Sequence, residues 1–111
     1  MKRTQRLRTN IEFKRALRGR RITSSAFVLH TGSTESPSTT GQVGFIVSKS
    51  VGNSVVRHRV TRQLRAIFST RVDRLNSQDR FVVRALPAIT TLSYLQLEEE
   101  IDLAFTSAGR A

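Results

Sequence analysis

Residues Ser48 to Arg65 read SKSVGNSVVRHRVTRQLR, and this stretch decides the fold. Gly52-Asn53 is a turn followed by a capping residue, because an Asn side chain accepts hydrogen bonds from the unpaired amides of a first helical turn. The spacing predicts a helix from about Ser54 to about Leu75. At about 100° per residue, Val56, Val60, Leu64 and Ile67 share an arc about 80° wide, and His58, Arg62 and Arg65 lie nearly opposite. One stripe is therefore buried, and the other presents guanidinium groups flanked by Arg57 and Arg59. Like charges at these spacings repel, and a solvated structural helix interleaves Glu with its Arg. No acidic residue stands between Arg57 and Arg65, so the helix is built to meet an anion.

Upstream, QVGFIVS (Gln42 to Ser48) reads as a strand, with Gly44 marking a bulge or a close backbone approach. AFVLHT (Ala26 to Thr31) reads as another strand. Between them GSTESPSTTG (Gly32 to Gly41) is small, polar and contains Pro37, and it reads as a long hairpin loop. Thr9-Asn10-Ile11-Glu12 has the spacing of a capping box, which starts a helix with Phe13, Ala16 and Leu17 on one face and Gly19 as its stop. The preceding MKRTQRLR has no apolar period and is expected to be a basic, flexible arm over residues 1–8.

Downstream, RFVVRAL (Arg80 to Leu86) reads as a strand ended by Pro87. A last helix follows, opened by the capping pair Ser93 and Gln96. Tyr94, Leu97, Ile101, Ala104 and Phe105 form its expected buried face, and Glu98, Glu99, Glu100 and Asp102 its solvated one. The order αββαβα predicts an α+β fold, a two-layer sandwich on one mixed central sheet. The 111 residues suit a single domain over 1–111.

Charge narrows the function. The net charge is +11, and its distribution is uneven. Residues 1–30 carry +8, residues 31–56 balance, residues 57–65 carry +4, and residues 66–111 carry −1. A domain with its positive charge confined to the first 65 residues has one region made for a polyanion. Sixteen of the 19 basic residues are Arg, the side chain whose planar fork grips phosphate bidentately and stacks on bases. The absence of Cys removes disulfides, thiolate zinc sites and a Cys nucleophile. No apolar run approaches the roughly twenty residues of a membrane span, so no membrane partner is expected and the cytoplasm is the expected location.

The residues resemble a known family, the protein subunit of bacterial ribonuclease P. The likeness spans the basic start with Leu7 and Phe13, the strand FVLHT, the run GFIVSKSVGNSVVRHRVTRQLR, and FVVRALP. Its specific part is Val51-Gly52-Asn53 followed by Arg57-His58-Arg59, where the family's triplet has Asn in place of His58. The resemblance implies an accessory subunit of an endoribonuclease that removes the 5′ leader of precursor tRNA. Catalysis would reside in the RNA subunit with Mg2+, with no catalytic residue and no metal site on the protein. It further implies partners in ribonuclease P RNA and precursor tRNA, a protein monomer within the ribonucleoprotein, and a left-handed βαβ crossover around the basic helix. The RNA-binding residues would be Lys49, Asn53, Arg57, His58, Arg59, Arg62 and Arg65. The leader would lie in a cleft at Phe13, Leu17, Phe27 and His30, although Phe13 and Phe27 taken alone read as core.

Two rival classes share part of this pattern. A ribosomal-type structural RNA-binding protein has the size and basicity but gives no reason for the spacing from Val51-Gly52-Asn53 to Arg57 and Arg59. A stand-alone nuclease needs grouped carboxylates or a His pair, and neither is legible. Successive helical acids such as Glu98, Glu99 and Glu100 point in different directions. No base stands beside Ser48, Ser50 or Ser54 in a nucleophile motif.

Overall fold

The computed structural model describes residues 5–7, 9–35 and 40–110. Its elements are α1 (Asn10–Leu17), β1 (Arg20–Thr23), β2 (Phe27–Ser33), β3 (Gln42–Ile46), α2 (Ser54–Ser69), β4 (Asp79–Ala85) and α3 (Tyr94–Ser107). Each helix starts where its local chemistry dictates. Thr9 and Glu12 exchange side-chain-to-amide hydrogen bonds at 3.2 and 3.3 Å, and Ser93 and Gln96 do the same at 3.2 and 2.9 Å. Asn53 Oδ1 accepts from the Val56 amide at 3.0 Å.

The four strands form one mixed sheet in the order β1-β2-β4-β3, with only β3 and β4 parallel. The α+β class with one mixed sheet is as expected, but the element order gains a strand. Arg20–Thr23 is an edge strand, exposed at Arg20, Arg21 and Thr23 and half-buried only at Ile22, so it has no apolar run to announce it. The true hairpin is β1-β2. The stretch from Gly32 to Gly41 is not a hairpin loop, because Gly32 and Ser33 still belong to β2, and β4 sits between β2 and β3. Residues 36–39, with Pro37, lie outside the described residues.

Strand alternation sends side chains to two faces. On one face Phe27, Leu29, Val43, Phe81, Val83 and Ala85 meet Val60, Leu64, Ile67 and Phe68 of α2 and Leu97, Ile101 and Phe105 of α3. Edge-to-face ring contacts run through this core from Phe45 to Phe68 to Phe105, with centroids 5.5 Å apart at each step. Tyr94, expected on the buried face of α3, is 42 % exposed. On the other face Ala16 of α1 packs with Leu7 and Val82, and Phe13, Leu17 and Ile46 cover them. The sheet thus carries helices on both sides, α1 against α2 and α3, where a two-layer sandwich was expected.

Two boundaries also depart from expectation, while α1 stops before Gly19 as expected. α2 ends at Ser69 and a separate 3-10 turn spans Val72–Arg74, because Arg71 turns inward to α3. Its guanidinium donates to Asp102 at 2.6 and 3.1 Å and to Glu98 at 3.1 Å, so half of the acidic face of α3 is an anchor. Gly19 follows α1 without a left-handed conformation. It is small because a Cβ would collide with the Thr31 carbonyl oxygen. Of the expected arm, residues 1–4 and 8 lie outside the described residues, but Gln5 and Leu7 are buried. Arg6 bridges Val43 in parallel, and the Leu7 amide donates to the Val43 carbonyl at 3.1 Å, so this segment extends the sheet past β3.

Candidate nucleic-acid interface

Two basic surfaces emerge, one on each side of the sheet. On α2, His58, Arg59, Arg62 and Arg65 are exposed, and Arg57 is half-buried with an enclosed Nε that has no hydrogen-bond partner among the described residues. The apolar stripe forces this outcome: once Val60, Leu64 and Ile67 enter the core, the residues opposite must face outward. Lys49 and Asn53 stand exposed at the N-terminal end, with Asn53 also serving as the cap. Among the described residues none of Lys49, Arg57, Arg59, Arg62 and Arg65 forms an ion pair, whereas Arg71 and Arg74 pair with α3 and Arg110 with Asp79. Arg71, Arg74 and Arg110 are matched to carboxylates, and among the described residues the cations of α2 are not.

The second surface is the α1 side of the sheet. Phe13, Leu17 and His30 do come together there, as expected, with the Phe13 ring over Gly44. Gly44 is therefore a close approach and not a bulge, since a Cβ would sit 2.5 Å from the Phe13 ring. Phe27 does not join them. It is fully buried on the opposite face, among the residues that meet α2 and α3. Residues 27 and 30 of one strand differ in parity and cannot share a face, so this correction was legible in the sequence. Val28 takes the place of Phe27 on the cleft side. Two further residues escaped the sequence reading: exposed Arg84, in register with Val28 and Ile46, and exposed Arg21, in register with His30. Both put cations on the rim of the α1 face, and strand alternation was the signal that pointed to them.

His30 is only 4 % exposed, and among the described residues neither ring nitrogen meets a partner at good hydrogen-bond geometry. Burial, then the charges of Arg84 and Arg21, lower its pKa from the ordinary 6.5, with the Leu17 backbone opposing them. The neutral ring is the folded form, so as pH falls through about 6.5 the unfolded chain takes up the proton first and stability declines. His30→Leu is expected to flatten this acid limb. Urea unfolding at about pH 7.5 and about pH 5.5 reads it, and a wild-type loss no larger than that of the variant would refute the assignment.

Among the described residues no group of three or more His, Asp or Glu side chains is placed to hold a metal ion, and no helix is long and apolar enough to cross a membrane.

An α+β domain whose α2 arginines form no ion pair among the described residues, and which sets Arg21 and Arg84 on the sheet face that also carries Phe13 and Leu17, is a polyanion-binding module. The Ribonuclease P family model matches residues 1–109, and the chain belongs to that family. It is 39 % identical over 98 residues to the ribonuclease P protein component of Acidothermus cellulolyticus, covering 87 % of this chain and 82 % of that one. To the ribonuclease P protein component of Beutenbergia cavernae it is 41 % identical over 105 residues, covering 94 % and 87 %. The fold is shared with a Staphylococcus aureus RNase P protein mutant with defective mRNA degradation activity, at a TM-score of 0.86 and 23 % identity over 96 % of this chain and 89 % of that one. It is also shared with the RNase P protein from Thermotoga maritima, at a TM-score of 0.72 and 18 % identity over 86 % and 90 %.

Proposed function

We propose that this chain is the cytoplasmic protein subunit of a bacterial ribonuclease P, a monomer within the ribonucleoprotein. It binds the RNA subunit through Lys49, Asn53, Arg57, His58, Arg59, Arg62 and Arg65, and the 5′ leader of precursor tRNA over Phe13 and Leu17, with the buried His30 beneath them. Cleavage belongs to the RNA subunit and its Mg2+. The protein contributes by binding and positioning. The observation that carries this reading is the row of α2 arginines with no carboxylate partner among the described residues. Phosphates neutralise such a row and release their counterions. The α1 face supports the leader assignment: an apolar floor for bases and the cations Arg21 and Arg84 for phosphates suit single-stranded RNA of any sequence.

The test is reconstitution. Purified protein, a bacterial ribonuclease P RNA and precursor tRNA are combined at low magnesium, and leader removal is expected only when both macromolecular components are present. A structural RNA-binding protein of ribosomal type would bind RNA without stimulating cleavage, and a stand-alone nuclease would cleave without the RNA subunit. Arg59→Ala is expected to lower the magnitude of the slope of log K against log salt by about 0.7 to 0.9, the share of one phosphate contact. An unchanged slope for the RNA subunit would remove Arg59 from the interface. Phe13→Ala is expected to weaken precursor binding by about 1 to 2 kcal/mol while leaving mature tRNA nearly unaffected. Equal losses for the two RNAs, in a variant whose melting temperature is retained, would overturn the leader cleft.

A further inference from the structure

We infer that the outer face of α2 contains a seat for one unpaired nucleotide, with Val55 as its floor. This rests on the RNA-binding reading of α2 and adds to it a contact that is not electrostatic. Val55 is 76 % exposed, more than Ile11, Tyr94, Leu95 or Leu103, and it shares the outer face of α2 with the exposed Arg59, Arg62 and Arg65. Val55, His58, Arg62 and Arg65 follow one another three or four residues apart, which on a helix makes a continuous ridge. Together with Thr61 they line an open groove with a volume of about 580 Å³, within the span of about 300 to 1,000 Å³ typical of ligand sites. No carboxylate is among the described residues lining it.

The chemistry of the groove is uneven along its length. Val55 offers an apolar surface at one end. One turn on, His58 offers a flat ring, and beyond it Arg62 and Arg65 offer planar guanidiniums that stack as well as bind phosphate. Thr61 donates its hydroxyl proton to the Arg57 carbonyl at 2.8 Å, which leaves its oxygen as an acceptor towards the groove. An RNA duplex offers α2 mainly phosphates and riboses, and cations alone suffice for those. A base that has left its stack brings an apolar face that needs covering and a hydrogen-bonding edge that needs partners. Val55 with His58 meets the first need, Thr61 contributes to the second, and Arg62 and Arg65 hold the flanking phosphates. In a strip that met only phosphates, an exposed valine would have nothing to do.

The experiment compares two probes with the full chain: a blunt RNA hairpin, and the same hairpin carrying one bulged adenosine in its stem. Affinities are read by fluorescence anisotropy across a salt series. The wild-type protein is expected to bind the bulged hairpin about fivefold more tightly or better, the low end of what one base contact contributes, with equal salt slopes for both probes. Val55→Ser is expected to abolish that preference and leave both slopes unchanged. Its side chain is exposed, so the fold does not depend on it. Equal wild-type affinity for the two probes, or a preference that survives in Val55→Ser, would overturn the seat. Arg62→Ala separates the two levels of the argument: it should reduce the slope for both probes, and an unchanged slope would defeat the reading of α2 as an RNA-binding helix itself.

Discussion

Gly32→Ala is expected to destabilise the protein by about 3 kcal/mol, the upper end of the overpacking range, and to abolish selective binding of the leader. Gly32 lies in β2 opposite Arg80, directly beneath α1. A Cβ there would fall 2.5 Å from the Ala16 Cα, 2.9 Å from the Ala16 carbonyl oxygen and 2.9 Å from the Arg80 carbonyl oxygen. All three atoms are backbone, so no rotamer change relieves the clash. α1 must lift away from the sheet, which exposes the fully buried Ala16 and carries Phe13 and Leu17 off the cleft floor. Gly44→Ala is the informative comparison. Its two nearest neighbours belong to the far end of the Phe13 ring at 2.5 Å, with Leu7 Cβ next at 3.2 Å, so a ring rotation absorbs much of the strain. A cost of about 1 to 2 kcal/mol follows. Urea midpoints for the two variants give the ranking, and a Gly32→Ala loss no greater than that of Gly44→Ala would contradict the backbone clash. The salt slope for RNA binding through α2 is expected to stay at its wild-type value in both, because α2 packs on the opposite face of the sheet.

What was legible in the sequence was local, and what was not depended on pairings far along the chain. The caps at Thr9, Asn53 and Ser93 are decided within four residues, and all three hold. The outward arginines of α2 follow from a period of 3.6 residues, which needs no knowledge of the rest of the fold. β1 is different: Arg20, Arg21, Ile22 and Thr23 form a strand only because β2 offers them an edge, and nothing in their composition says so. Strand order is equally non-local. The insertion of β4 between β2 and β3 turns an apparent hairpin loop into a connection across the sheet, and a composition reading of residues 32–41 cannot see it. Arg71 belongs to the same class, since its reach to Glu98 and Asp102 spans 27 and 31 residues. The misplacement of Phe27 has another origin. The resemblance puts His30 and Phe27 in one cleft, although strand parity separates them.

Arg71→Ala is expected to cost about 2 to 3 kcal/mol without altering the salt dependence of RNA binding. The Arg71 side chain is 10 % exposed, and besides its bonds to Asp102 and Glu98 it donates to the Ile67 carbonyl at 3.0 Å and the Thr70 hydroxyl at 2.9 Å. Removing a buried partner of this kind costs about 3 to 5 kcal/mol when the charges left behind are buried too. Here the side chains of Glu98 and Asp102 are 30 % and 45 % exposed, so water recovers part of the loss and the lower figure applies. The acid limb distinguishes this mechanism from a mere packing defect. The Arg71 hydrogen bond is the largest influence holding the Asp102 carboxyl below its ordinary 3.8, with further help from Arg74. A depressed carboxyl contributes stability that is complete above the unfolded pKa and is lost as pH falls through the folded one. Wild-type protein should therefore lose stability below about pH 4, and Arg71→Ala should lose less over the same interval. Because this guanidinium is already neutralised by α3, deleting it should leave the salt slope unchanged, unlike Arg59→Ala. A slope reduced as much as by Arg59→Ala would place Arg71 on the RNA instead, and an acid limb identical to wild type would show that the Asp102 pairing does not support the fold.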